Sequence, residues 1–101
     1  MPSKNSIRGS TFEREIVHKA RDKGFRAERA YGSNGRALGE SEEVDLLIDR
    51  FRVQAKRRKK LASFLQIPEG ADAVVFRQDR SAPMALITLD TLLDLLEQAK
   101  K

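Results

Sequence analysis

Residues 44–56 read Val-Asp-Leu-Leu-Ile-Asp-Arg-Phe-Arg-Val-Gln-Ala-Lys. Apolar and polar side chains alternate on both sides of Asp49 and Arg50, which is typical of two strands that each bury one face. With Asp49 and Arg50 as a two-residue turn, Ile48 pairs with Phe51. The stretch therefore predicts a β-hairpin, whose register follows from the alternation.

The same register puts Asp45 directly across from Gln54, with Lys56 on the same face. A carboxylate inside an apolar strand costs free energy unless it is solvated, ion-paired or metal-bound. An ion pair between Asp45 and Lys56 is a purely structural explanation. A phosphodiesterase site is the other, because hydrolysis uses a divalent ion held by carboxylates and a lysine that orients water or phosphate.

The bulk composition favours one globular domain over residues 1–101, with residues 1–7 flexible. No apolar run approaches the roughly 20 residues that cross a bilayer, and residues 1–10 lack a secretory signal, so we expect a cytoplasmic protein.

Cysteine is absent and His18 is the sole histidine. A metal site would then use oxygen ligands, which favours Mg²⁺ or Mn²⁺ over zinc.

The net charge of +5 is unevenly distributed. Residues 1–36 carry nine basic and four acidic side chains, residues 37–49 carry five acidic and no basic ones, and residues 50–60 carry seven basic and no acidic ones. Residues 61–101 are net acidic by two. The positive field is concentrated in the first 60 residues, which indicates a polyanionic partner such as DNA.

Helical and strand periodicities predict the order α-β-β-β-α-β-β-α in one α/β domain. Ser10 and Glu13 resemble a capping box, although Glu13 could instead project beside the sheet and join Asp45. The predicted elements are a helix over 11–23 ended by Gly24, a strand over 25–30, a loop to about 43, the hairpin, a helix over 57–66, strands over 71–77 and 84–88, and a last helix capped by Asp90.

Several short motifs occur in a fixed order along the chain. They are Arg8-Gly9, Glu13-Arg14-Glu15, Gly24-Phe25, Gly32-Ser33, Val44-Asp45-Leu46, and Gln54-Ala-Lys56 followed by basic residues. In these motifs the sequence resembles the archaeal-type Holliday junction resolvases of the PD-(D/E)XK nuclease superfamily. The resemblance implies a restriction-endonuclease-like fold, with a central mixed β-sheet flanked by helices, and structure-selective DNA cleavage in recombination and repair.

The resemblance also implies roles for individual residues. Glu13, Asp45, Gln54 and Lys56 would be catalytic, and the first three would hold Mg²⁺ or Mn²⁺. Residues expected to contact DNA, from the resemblance and from the distribution of basic side chains, are Arg8, Arg14, Ser33, Arg36, Arg57, Arg58, Lys59 and Lys60. The alternative to DNA contact for the basic run Lys56–Lys60 is that these charges form the solvent-exposed start of a helix and keep the protein soluble. Paired incisions in a four-way junction require two sites, so we expect a homodimer.

Gln54 departs from the family pattern, which has Glu or Asp at this position. A glutamine carbonyl supplies a dipole in place of a full charge, so metal affinity should fall. Glu40, Glu42 or Glu43 could compensate, or they could form a solvated acidic loop. Alternatively, the domain has retained junction binding and lost cleavage, or Gln54 is an inactivating substitution.

Overall fold

The computed structural model describes residues 4–30 and 35–101, excluding the side chains of residues 4–9, 35 and 37. It shows a small mixed α/β protein with two helices and two small antiparallel sheets. The elements are α1 (Lys4–Asp22), β1 (Ala27–Arg29), a 3₁₀ helix (Gly35–Leu38), β2 (Leu46–Ile48), β3 (Phe51–Val53), β4 (Val74–Phe76), β5 (Met84–Leu86) and α2 (Leu89–Ala99). They fall into two compact units, Met1–Arg58 and Lys59–Lys101.

Helix α1 begins earlier than the sequence predicted. Residues 4–10 contain no proline, and the single Gly9 costs only about 1 kcal/mol in a helix, so the helix continues through Ser10. The expected start at residue 11, with Ser10 as the cap, is therefore wrong.

The predicted end of α1 at Gly24 is confirmed. Gly24 has φ +90°, its N–H donates to Arg21 O at 2.9 Å, and Phe25 N–H donates to Ala20 O at 3.0 Å. These two bonds form a Schellman motif, which satisfies the last helical carbonyls and requires a residue that tolerates positive φ.

The first sheet has the strand order β1-β2-β3, with antiparallel pairing throughout. Ile48 lies opposite Phe51, as the alternation predicted, and Leu46 lies opposite Val53. On β1, Ala27 is the partner of Ile48. Residues 13, 16, 17 and 20 form a buried stripe on α1, and Ala27, Leu46 and Ile48 are buried in the sheet. Since α1 contacts β1 and β2, these residues form the core of the first unit.

The second unit contains the β4–β5 hairpin and α2. Val75 pairs with Ala85, and Val75 is 70% exposed. The rings of Phe64 and Phe76 meet edge to face with centroids 5.9 Å apart. Helix α2 is capped by Thr88, whose hydroxyl accepts from Thr91 N–H, so the expected cap at Asp90 is two residues too late.

Two further expectations about the fold are wrong. Within the described residues the strands form two separate antiparallel sheets, not one mixed sheet. The predicted helix over 57–66 does not form, although a turn closes where Leu65 N–H donates to Ala62 O at 2.9 Å. Five consecutive cations at a helix start repel one another and oppose the helix dipole, which outweighs the apolar spacing after residue 60.

Among the described residues, no helix is both long enough and apolar enough to cross a membrane.

Candidate active site

Glu13 lies on the buried stripe of α1 and not in a capping box. It is 3% exposed, and its carboxylate Oε1 lies 3.5 Å from Nε of Arg29. Arg29 reaches Glu13 because it follows Ala27 by two residues on β1 and so points to the same face of the sheet as that buried alanine. The pair places a negative charge in the core of the first unit, next to a cation that balances it.

Arg29 is the residue at this site that the sequence analysis missed, since it is the partner of the predicted catalytic acid Glu13. Its Nε is buried and has no hydrogen-bond partner among the described residues, so the contact with Glu13 is an ion pair without good hydrogen-bond geometry. The period of two along β1 could have placed Arg29 on the same face as Ala27, although not its pairing with Glu13.

Asp45 lies at an irregularity where β2 meets β3. Its N–H donates to Val53 O at 2.9 Å, although Val53 is already the partner of Leu46 in the regular register. Two consecutive residues of one strand therefore oppose a single residue of the other, as in a β-bulge, and the expected direct pairing of Asp45 with Gln54 does not form. Bulges redirect side chains and are frequent near active sites.

The carboxylate of Asp45 is held by the segment after β3. Its Oδ2 accepts a hydrogen bond from Ala55 N–H at 2.7 Å, a distance typical of a charge-assisted bond. Ala55 is flanked in the chain by Gln54 and Lys56, whose side chains are both exposed. Asp45 is thus brought beside the Gln54-Ala-Lys56 motif by a backbone contact.

The atoms at this site that could coordinate a metal are oxygens, the type of ligand that Mg²⁺ and Mn²⁺ prefer. Among the described residues, however, no three His, Cys, Asp or Glu side chains are grouped so that they could hold a metal. Of the three predicted metal ligands, Glu13 and Asp45 have carboxylates and Gln54 has an amide. Glu42, one possible compensating acid, instead lies 3.5 Å from Arg36, and both side chains are largely exposed.

Most of the residues expected to contact DNA are exposed where the structure describes them. Arg14 is exposed on α1, and the basic run Lys56–Lys60 is exposed and has no helical or strand structure. Within that run, the guanidinium of Arg58 donates to Arg57 O at 3.1 Å. Ser33 and the side chain of Arg8 lie outside the described part of the chain.

No family model matches the chain, and no curated protein or solved structure matches it either.

Proposed function

We propose that this protein is a metal-dependent, structure-selective DNA endonuclease of the Holliday junction resolvase type. The observation that carries the proposal is the 2.7 Å hydrogen bond between Ala55 N–H and Asp45 Oδ2. It brings the predicted acid to the segment that bears Gln54 and Lys56, which is the grouping that phosphodiester hydrolysis uses. The restriction-endonuclease-like arrangement is part of the same proposal, except for its single mixed sheet, in place of which the described residues form two antiparallel sheets.

In this proposal Asp45 and Gln54 hold the metal through a carboxylate oxygen and an amide carbonyl, with Glu13 as the third ligand. A bound Mg²⁺ supplies a hydroxide near neutral pH and neutralises charge on the phosphate. Asp45 would contribute its carboxylate to the metal while its Oδ2 accepts from Ala55 N–H. The ammonium of Lys56 would stabilise a phosphate oxygen or orient the attacking water. Glu13 would contribute a carboxylate that also pairs with the Arg29 guanidinium.

The proposed substrate is branched DNA, contacted mainly through its backbone. Exposed cations on a segment without regular structure can adapt to phosphates, and the basic run supplies five of them. Arg14 and Arg36 extend the positive surface within the first unit. We propose a homodimer because two symmetrically placed incisions require two copies of the site.

A second candidate function is junction binding without cleavage. It is favoured by a specific observation: among the described residues no three His, Cys, Asp or Glu side chains are grouped to hold a metal, and the carboxylate of Glu13 lies 3.5 Å from Nε of Arg29. A protein that retained the basic surface and lost metal affinity would show this combination.

A cleavage assay separates the two candidates. The protein is incubated with a synthetic four-way junction and Mg²⁺ or Mn²⁺, alongside Asp45→Ala, and both are assayed for junction binding. Cleavage by the wild type and none by Asp45→Ala would support the endonuclease. Tight binding by both proteins with no cleavage would support the second candidate, and equal cleavage by both would remove Asp45 from the mechanism.

The salt dependence of junction binding tests the basic run. Replacing Arg57, Arg58 and Lys59 together by Ala should reduce the slope of log affinity against log salt by about 2 to 3, since each phosphate contact contributes about 0.9. The matched control removes the three positive charges of Arg80, Lys100 and Lys101, which lie in the second unit outside the basic run. An unaltered slope in the first variant would rule out the basic run as the phosphate contact, and sedimentation of the free protein would report whether it is a dimer.

A further inference from the structure

A depression of about 630 Å³ lies in the first unit, at the turn end of its sheet. Its polar lining comprises the arginines Arg21, Arg26 and Arg50 and the acids Glu28 and Asp49. Leu47 and Phe25 supply apolar surface. None of Glu13, Asp45, Gln54 and Lys56 lines it, so it is separate from the catalytic site proposed above.

The alternation of the strands shows how this depression is built. Glu28 lies opposite Leu47 in the register, and both point away from the face that carries Ala27, Leu46 and Ile48. The depression therefore opens on the face of the sheet that is not covered by α1. Arg21 joins it from the last turn of the helix.

Hydrogen bonds to the backbone hold two of the charged side chains in the depression, Arg21 and Asp49. The guanidinium of Arg21 donates through Nε and Nη2 to Ala27 O, at 3.1 and 2.8 Å, which uses two of its five N–H groups. Asp49 Oδ1 accepts from the backbone N–H of Arg26 at 3.1 Å, so this acid is engaged by the main chain. Arg21 is thus held by hydrogen bonds, beside the exposed Arg26 and Arg50. Three arginines in this arrangement suit recognition of a phosphate-bearing ligand.

We infer that this depression, through Arg21, Arg26 and Arg50, binds phosphates of a nucleic-acid backbone as a second contact, away from the scissile site. The inference rests on the proposed function. An open depression of this volume is larger than a single inorganic anion needs, and it can accept part of a sugar-phosphate strand. Asp45 and Asp49 flank β2 at its two ends, four residues apart, or about 13 Å at the rise of a strand, which corresponds to about four base pairs of duplex.

The test uses two exposed arginines that can be changed without touching the internal bonds. In Arg26→Gln/Arg50→Gln the backbone N–H that binds Asp49 is retained, as is the pairing of Arg21 with Ala27. The matched control is Arg77→Gln/Arg80→Gln, which removes two exposed arginines near the turn of the β4–β5 hairpin. A third variant, Arg26→Lys/Arg50→Lys, keeps the charge.

Junction affinity is measured for all four proteins over a series of NaCl concentrations. We expect the glutamine pair at this depression to lower the salt slope by about 1 to 2 and to weaken binding about tenfold at low salt, since each phosphate contact contributes about 0.9 to the slope. The control pair and the lysine pair should keep the wild-type slope. A wild-type slope in Arg26→Gln/Arg50→Gln would overturn this inference and leave the proposed function intact, whereas no junction binding by the wild type would remove both.

Discussion

The protein contains two β-hairpins of equal strand length in very different surroundings. The β2–β3 hairpin is joined by β1 and packed against α1, and Leu46 and Ile48 are almost fully buried. The β4–β5 hairpin stands as a two-stranded sheet, with Val75 and Met84 more than half exposed. An isolated two-stranded hairpin is marginal in water, whereas a third strand and a helix provide a core. The first hairpin is therefore the one able to hold polar groups in fixed positions.

Charge divides the two units in the same way. The unit Met1–Arg58 carries fourteen basic and nine acidic side chains, and the unit Lys59–Lys101 carries six of each. The buried Glu13, the bulge at Asp45 and the arginine-lined depression all belong to the first unit. The comparison indicates that the well-packed hairpin is the one able to hold the proposed site, and that the other hairpin is the more exposed of the two.

The largest expected difference between the hairpins is in stability. Leu46→Ala should lower the free energy of unfolding by about 2 to 5 kcal/mol, because it leaves a cavity in the core of the first unit. Val75→Ala, at a position 70% exposed, should change it by less than about 0.5 kcal/mol. Urea unfolding followed by circular dichroism measures both. Equal effects would show that the two hairpins are packed alike.

The next largest effect concerns the ion pair of Glu13. Arg29→Met should cost about 2 kcal/mol, because it leaves a carboxylate in the core without its cation; the part exposure of Arg29 keeps the cost below that of a fully buried pair. Arg36→Met, which breaks the exposed contact with Glu42, should cost less than about 0.5 kcal/mol. If Glu13→Gln restores the stability of Arg29→Met, the uncompensated charge is the cause; failure of that rescue would mean that Arg29 acts through packing alone.

The two turns provide the smallest and most specific comparison. Asp49 has φ +53° and Arg80 has φ +64°, a region that costs a non-glycine residue about 1 kcal/mol. Arg80→Gly should therefore stabilise the protein by up to about 1 kcal/mol. Asp49→Gly should not, because it also removes the carboxylate that accepts from Arg26 N–H. Thermal unfolding measures both changes, and a gain in Asp49→Gly as large as that in Arg80→Gly would contradict this role of the carboxylate.

The parts of the fold that the sequence predicted correctly depend on local patterns. The alternation around Asp49 fixed the register of Ile48 with Phe51, and the need for positive φ marked Gly24 as the end of α1. A bulge inserts one residue without changing which residue types occur, so the irregularity at Asp45 leaves no signature in the sequence.

The errors arose where one local pattern had to be weighed against another, or where distant residues interact. Apolar spacing suggested a helix over 57–66, and the repulsion between the preceding cations outweighs it. Ser10 and Glu13 matched a capping box, yet the helix continues past Ser10 and the stripe of α1 places Glu13 in the core. The pairing of Glu13 with Arg29 depends on how α1 packs on β1, which no local pattern encodes.

The most direct test of the central claim is where a metal ion binds. Mn²⁺ is paramagnetic, so it broadens the amide signals of nearby residues when it is titrated into ¹⁵N-labelled protein. We predict broadening first at Asp45 and Ala55. We expect tighter binding in Gln54→Glu, and none at this site in Asp45→Asn, whose amide oxygen can still accept from Ala55 N–H. Broadening that is unaffected by Asp45→Asn, or that begins in the β4–β5 hairpin, would contradict the account.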